Sequence, residues 1–155
     1  MDSNDYIRYM KMAYGEAQKA YALGEAPVGC VVVSCGKVIG RGHNMRNTKK
    51  SAVRHAELIA IDSACRRTGD WRLTEAYLFV TVEPCPMCAG AIIQARIKEA
   101  VYGCENKKAG CAGSVMNLFE QTGFNHTVAV TRGVMEAECG ALMSRFFSEL
   151  RGGNY

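Results

Sequence analysis

The stretch AYLFVTVEPCPMCAGAIIQAR, residues 76–96, decides the fold. Its opening, Ala76–Val82, is an apolar run rich in β-branched and aromatic residues, the composition of a buried strand. Pro84 and Pro86 end that run and suit the first turn of a new helix, where a missing N–H costs nothing. The helix is expected to reach about Arg96 and carries Ala89-Gly90-Ala91-Ile92-Ile93. Being apolar nearly all round, it predicts cover on two sides, by its own sheet and by a second subunit.

Upstream, Ile7, Met10, Tyr14, Ala17 and Tyr21 recur at helical spacing over residues 5–23. Asn4 or Asp5 can cap the start and Gly24 the end. Val28–Ser34 reads as a buried strand, Cys35-Gly36 as a short turn and Lys37–Gly42 as the returning strand of a hairpin. Residues 44–51 are polar and basic and read as a loop. A second helix fits Ala52–Thr68, with Leu58, Ile61, Ala64 and Cys65 on one face and Gly69 as its stop. Downstream, Ala100–Tyr102 and Thr127–Thr131 read as strands and Met135–Leu150 as the last helix. After the initial helix the order is β-β-α-β-α-β-β-α, without linker or internal repeat. This predicts one domain over residues 1–155. The expected class is α/β, a three-layer α/β/α sandwich around a central mixed five-stranded sheet. The two strand–helix–strand units predict right-handed crossovers and parallel neighbours at the sheet centre.

A hydrophobic share of 48% against 22% charged excludes a disordered chain. No apolar run approaches the roughly 20 residues of a spanning helix, so no membrane association is expected. The start, Met1-Asp2-Ser3-Asn4-Asp5, lacks the basic and apolar segments of a signal peptide, which predicts a cytoplasmic protein. In a reducing compartment the eight cysteines serve metal binding, catalysis or burial rather than disulfides. Cys30 and Cys65 fall in apolar or helical patterns and read as core thiols. The net charge of +4 is modest, and its placement says more. Arg46, Lys49, Lys50 and Arg54 lead into His55, and Lys107 and Lys108 follow a predicted strand. Charge beside a chemical motif attracts phosphates; the plainer reading is solvated loops.

Two clusters carry the chemistry: His55-Ala56-Glu57 and Pro84-Cys85-Pro86-Met87-Cys88. Both fall at the beginning of a predicted helix. Cys85 and Cys88, three apart on one turn, face the same way. The positive helix end favours thiolate over thiol. With the His55 imidazole they make a Cys₂His set that suits one zinc ion, Zn²⁺, with the fourth tetrahedral position open to water. Cys104 and Cys111 are too loosely spaced to supply a second pair, so the site reads as catalytic rather than structural. Two thiolates cancel the metal's charge and acidify water less than three imidazoles would. A nearby base is therefore needed. Glu57 lies two residues after His55, on a different side of the helix, and reaches past the metal as that base.

H-x-E followed by P-C-x-x-C is similar to the zinc-deaminase signature. The chain as a whole resembles the bacterial tRNA-specific adenosine deaminases, from Pro27-Val28-Gly29 to Phe146-Phe147. The matching segments include Gly42-His43-Asn44, Glu83-Pro84-Cys85, Met87-Cys88-Ala89-Gly90, Gly113-Ser114, Met116-Asn117-Leu118 and Phe124-Asn125-His126. The resemblance implies a cytidine deaminase-like fold and a homodimer. It implies hydrolytic deamination of adenosine to inosine at the wobble position of a tRNA anticodon, with arginine tRNA as the expected substrate. Glu57 would shuttle the proton. Asn44 would hydrogen-bond the flipped base or its sugar, and backbone groups near Val28, Ala56 and Pro84 would line the pocket. Lys107, Lys108, Arg145, Phe147 and Arg151 would touch the anticodon stem-loop. Plainer roles stand beside these: a turn for Asn44, core packing for Phe146 and Phe147, solvation for Arg151. Asn106 stands where many members carry Asp. It can accept a bond from a ribose 2′-hydroxyl but lacks the charge that would favour RNA.

Two other functions fit parts of the pattern. A small-molecule guanine or cytosine deaminase would share the zinc motifs, but has no use for basic loops or for the Phe146-Phe147 pair. A non-catalytic zinc module binding RNA or protein would keep His55, Cys85 and Cys88, but has no use for Glu57.

Overall fold

A computed structural model describes residues 1–153. Its centre is a five-stranded sheet in the order β2-β1-β3-β4-β5. The strands are β1 (Gly29–Ser34), β2 (Lys37–His43), β3 (Tyr77–Val82), β4 (Glu99–Cys104) and β5 (Ala129–Thr131). β1 runs antiparallel to both β2 and β3, whereas β3, β4 and β5 are parallel, so the sheet is mixed as expected. The hairpin turn falls at Cys35 and Gly36, both at positive φ (50° and 72°), the twist that a tight two-residue hairpin requires.

Strand alternation splits the core into two layers. One cluster joins Cys30, Val32, Leu78, Val80 and Tyr102 to Ala60, Ile61, Ala89 and Ile92, which belong to α2 (Ala56–Thr68) and α3 (Pro86–Gln94). The other joins Val31, Val33, Phe79 and Val101 to Met10 and Ala13 of α1 (Ser3–Ala22) and Cys139 of α4 (Glu136–Arg151). Helices thus cover both faces, which completes the three-layer α/β/α sandwich.

The expectation of parallel neighbours holds for β3-α3-β4 but not for β2-α2-β3. There β1 lies between the strands, because the tight hairpin leaves its second edge free to pair with β3. The link from β4 to β5 is parallel without an α-helix of its own; it carries one 3₁₀ turn, Leu118–Glu120. Asp2, rather than Asn4 or Asp5, caps α1, in a box with Asp5.

α2 begins at Ala56, four residues later than the periodicity predicts. Residues 45–54 fold into turns instead, closed by Met45 N–H to the Arg54 carbonyl (3.0 Å) and Ser51 N–H to that of Arg46 (3.0 Å). Glu25, 1% exposed, fixes this loop by accepting from the N–H groups of Asn47 (3.1 Å) and Thr48 (2.6 Å). α2 lies directly on β2 because Gly40 and Gly42 have no side chains. A Cβ there would come within 2.2 Å of the Ala60 carbonyl and 2.4 Å of that of Ala56. This contact sets where the first turn of α2 stands.

Glu25 gives the first prediction. Burial would raise its pKa, but the bonds from Thr48 and Asn47 outweigh it and hold the group below its ordinary value of 4.5. A depressed folded pKa contributes stability that is complete above the unfolded pKa and is lost as pH falls through the folded value. Glu25→Gln is therefore expected to cost about 1.5–3 kcal/mol at pH 7. The gap to wild type should narrow as pH drops below 4.5, in denaturant titrations at stepped pH. A gap independent of pH would show that the charge is not what holds the loop.

Candidate active site

Two helix beginnings meet at one end of the sheet. His55 is the N-cap of α2 and Cys85 the N-cap of α3, and neither side chain caps its own helix. Pro86 occupies the first turn of α3, so the extended residue before it, Cys85, is turned away from the helix axis. His55 Nδ1 lies 3.6 Å from Cys85 Sγ and 3.6 Å from Cys88 Sγ. The three ligand atoms all fall within 4.8 Å of one another. For Zn–S near 2.3 Å and Zn–N near 2.1 Å, a tetrahedral N···S edge is about 3.6 Å. The set therefore fits one zinc, and no fourth His, Cys, Asp or Glu joins it among the described residues.

The electrostatics agree with that use. The Cys85 thiol is held down to about 4, first by a hydrogen bond from Cys88 and then by His55. The same bond pushes Cys88 up. His55 is raised, chiefly by its bond with Cys85. Both helix N-termini add positive potential at the same point.

Glu57, in the first turn of α2, is 4% exposed and reaches the same cleft. Burial and then the Cys85 charge raise its pKa to about 7. A carboxyl poised near neutrality can both take and give a proton, as general acid–base chemistry by one group requires. The cleft has a volume of about 740 Å³. Val28, Asn44, Ala56 and Asn106 line it, together with Met143, Ser144 and Phe147 of α4, and Arg46, Lys107, Lys108 and Arg151 bring positive charge to it.

The family model of the cytidine and deoxycytidylate deaminase zinc-binding region matches residues 3–104. It is 50% identical to the tRNA-specific adenosine deaminase of Bacillus subtilis over 143 residues, 92% of this chain and 89% of that one. The chain belongs to the tRNA-specific adenosine deaminases, within the zinc-binding cytidine deaminase family. A solved structure from work on A-to-I editing by tRNA:A34 deaminases superposes with a TM-score of 0.84 at 38% identity, covering 87% of this chain and 98% of that one. Guanine deaminase from Bacillus subtilis superposes less fully, with a TM-score of 0.62 at 36% identity over 68% and 66% of the two chains.

As a member of this deaminase family, the chain departs from the sequence reading at several positions. Pro84 itself is buried, its carbonyl accepting from Cys111 N–H (2.8 Å), and the cleft is lined there by its neighbours Glu83 and Cys85. Arg145 turns away, bonding Glu149 (3.1 Å) and lying 5.0 Å over the Tyr21 ring. The phenylalanine pair divides: Phe146 packs in the core against Tyr21, and Phe147, 39% exposed, forms cleft wall. Asn44 lines the cleft and also serves a turn, its Oδ1 accepting from Arg46 N–H (3.1 Å). Asn106 does likewise with Ala109 N–H (3.1 Å). Cys30 is a core thiol, whereas Cys65 is half-buried and donates to the Trp71 carbonyl (3.6 Å).

Sequence reasoning gave no role to Glu25 or to Glu83, the buried carboxylates that accept hydrogen bonds from the two basic loops. Their signal was weak: a Glu two residues before Pro27, and a Glu between a strand and Pro84. Glu83 would be raised by burial, but bonds from Ser114, Asn106 and Ala112 hold it below its ordinary value.

Proposed function

We propose that residues 1–155 act as one domain that hydrolyses adenosine to inosine and ammonia at the wobble position of a tRNA anticodon. The carrying observation is the cleft, which holds a three-ligand metal group and Glu57 with Arg46, Lys107, Lys108 and Arg151 around them. His55, Cys85 and Cys88 would hold the ion. Bound zinc supplies the acidity that turns water into a nucleophile near neutral pH.

The remaining work falls to the chain. Glu57 takes one proton of the attacking water and delivers it to the ring nitrogen of the base. It then takes the remaining proton of the added hydroxyl and passes it to the amine, so that the C–N bond breaks, ammonia leaves and the carbonyl of inosine forms. A flipped base is needed for this, because the reacting carbon is out of reach in a stack. Asn44 has a second amide proton for the base or sugar, its first going weakly to the Ala26 carbonyl (3.4 Å). Val28 and Ala56 confine the ring, and Phe147 offers a face for a neighbouring base. Asn106 keeps a lone pair for a 2′-hydroxyl.

Arginine tRNA with A at the wobble position, a homodimer and a cytoplasmic location complete the proposal. The dimer is supported by Met87, Gly90 and Ala91, which stay partly exposed on the outer side of the apolar α3. No helix among the described residues is long and apolar enough to cross a membrane.

A guanine or cytosine deaminase is the competing reading, and the four cationic side chains weigh against it. Phosphate contacts release counterions, so affinity for a stem-loop should fall with a log–log salt slope of roughly −3, four contacts at about 0.7 each. Titrating KM for an anticodon stem-loop and for free guanine against salt separates the readings. Turnover of free base that ignores salt, with none on the stem-loop, would favour the small-molecule enzyme.

A further inference from the structure

Glu83 directly follows β3, two residues before Cys85, and is 2% exposed. Its carboxylate is spent on a loop from the far side of the cleft. Oε1 accepts from Asn106 N–H (3.1 Å) and from the Ser114 hydroxyl. Oε2 accepts from Ala112 N–H (2.9 Å) and Ser114 N–H (3.1 Å). All four partners are neutral donors, and each belongs to residues 106–114. The loop closes so tightly that a Cβ on Gly110 would sit 2.4 Å from Glu83 Cδ. Cys111 N–H reaches the Pro84 carbonyl (2.8 Å), and Arg132 Nη2 donates to that of Ala112 (3.2 Å) from outside. The segment wrapped around this one carboxylate carries Asn106, Lys107 and Lys108, all lining the cleft.

We propose that Glu83 is a positioning residue for substrate recognition: it holds loop 106–114 so that Asn106, Lys107 and Lys108 present their polar groups to the RNA backbone. The inference deepens the RNA reading above and rests on it. Four hydrogen bonds all pointing into one group need an acceptor without protons. A glutamine would set two N–H bonds of its own against those donors, and the loop would have to open. The ligand residues would feel this less, since α3 is held by its own packing under the sheet.

The test compares wild type, Glu83→Gln, Ser114→Ala and the pair Lys107→Ala with Lys108→Ala, all zinc-loaded, on an anticodon stem-loop. Ser114→Ala removes one donor without disturbing the buried charge. Glu83→Gln is expected to keep one zinc per chain and to raise KM about tenfold, with kcat changed by less than about threefold. Its salt slope should flatten by about 1.4, as if two phosphate contacts were lost. Adding the two lysine changes to Glu83→Gln should raise KM little further, because both act through one contact. Ser114→Ala should move KM the same way by about two- to threefold, which keeps the test decisive if Glu83→Gln does not fold. Hydrogen exchange at the Asn106, Ala112 and Ser114 amides should speed up in the variants without any substrate present. Amides that stay protected, a fall in kcat at constant KM, or fully additive lysine effects would each overturn the assignment. A wild type that leaves the stem-loop unchanged would count against the RNA reading instead.

Discussion

Glu57→Ala will remove turnover while leaving one zinc per chain and the fold in place. Glu57 does not belong to the Nδ1–Sγ–Sγ group and stands beside it, so its loss leaves the metal's donors intact. Its carboxyl is buried and raised to about 7, chiefly by desolvation, which suits a proton shuttle. A positioned acid–base group contributes about 10²–10⁴ in rate, and here one group serves more than one transfer, so the upper part of that range applies. Metal analysis and steady-state kinetics on the same sample check it. Turnover within tenfold of wild type would remove Glu57 from the mechanism. Loss of zinc with loss of activity would make it a ligand.

Cys88→Ser will have the opposite signature, losing the metal first and activity as a consequence. Cys88 is fully buried at the start of α3, and its sulfur is one of the three donors grouped there among the described residues. A serine hydroxyl in its place is a poor zinc ligand that cannot give up its proton near neutral pH. With two donors left, zinc should dialyse away against a chelator that spares wild type, and turnover should fall by more than about 10³. The melting temperature should fall too, because binding energy at a ready-made site is also folding energy. A Cys88→Ser protein that retains one zinc per chain would refute the three-ligand assignment. The two variants together separate metal binding from proton transfer.

Much of this was legible in the residues. The apolar run of 76–82 followed by Pro84 and Pro86 marked a strand feeding a helix, and the spacings of His55, Cys85 and Cys88 marked the ligand group with Glu57 beside it. Sequence periodicity failed where tertiary bonds outweighed it. Residues 52–55 have helical composition, but the loop that Glu25 and the Met45–Arg54 bond close keeps them in turns. The position of β1 between β2 and β3 depends on which edge a hairpin leaves open, which no local pattern encodes. Glu83 was invisible for the same reason. Its donors lie 23 to 31 positions away in the chain, so its role exists only after folding. Arg145 shows the converse, since a basic residue near the cleft can be claimed by Tyr21 and Glu149.

The most direct test is to map the product. Zinc-loaded protein is incubated with an arginine tRNA transcript carrying A at the wobble position, beside free adenosine, cytidine and guanine, and nucleosides are identified by mass spectrometry with the inosine located by sequencing. Inosine at the wobble position alone, absent with Glu57→Ala, is the predicted result. Product from a free base or nucleoside with the tRNA unchanged would contradict the wobble assignment while leaving the metal site standing.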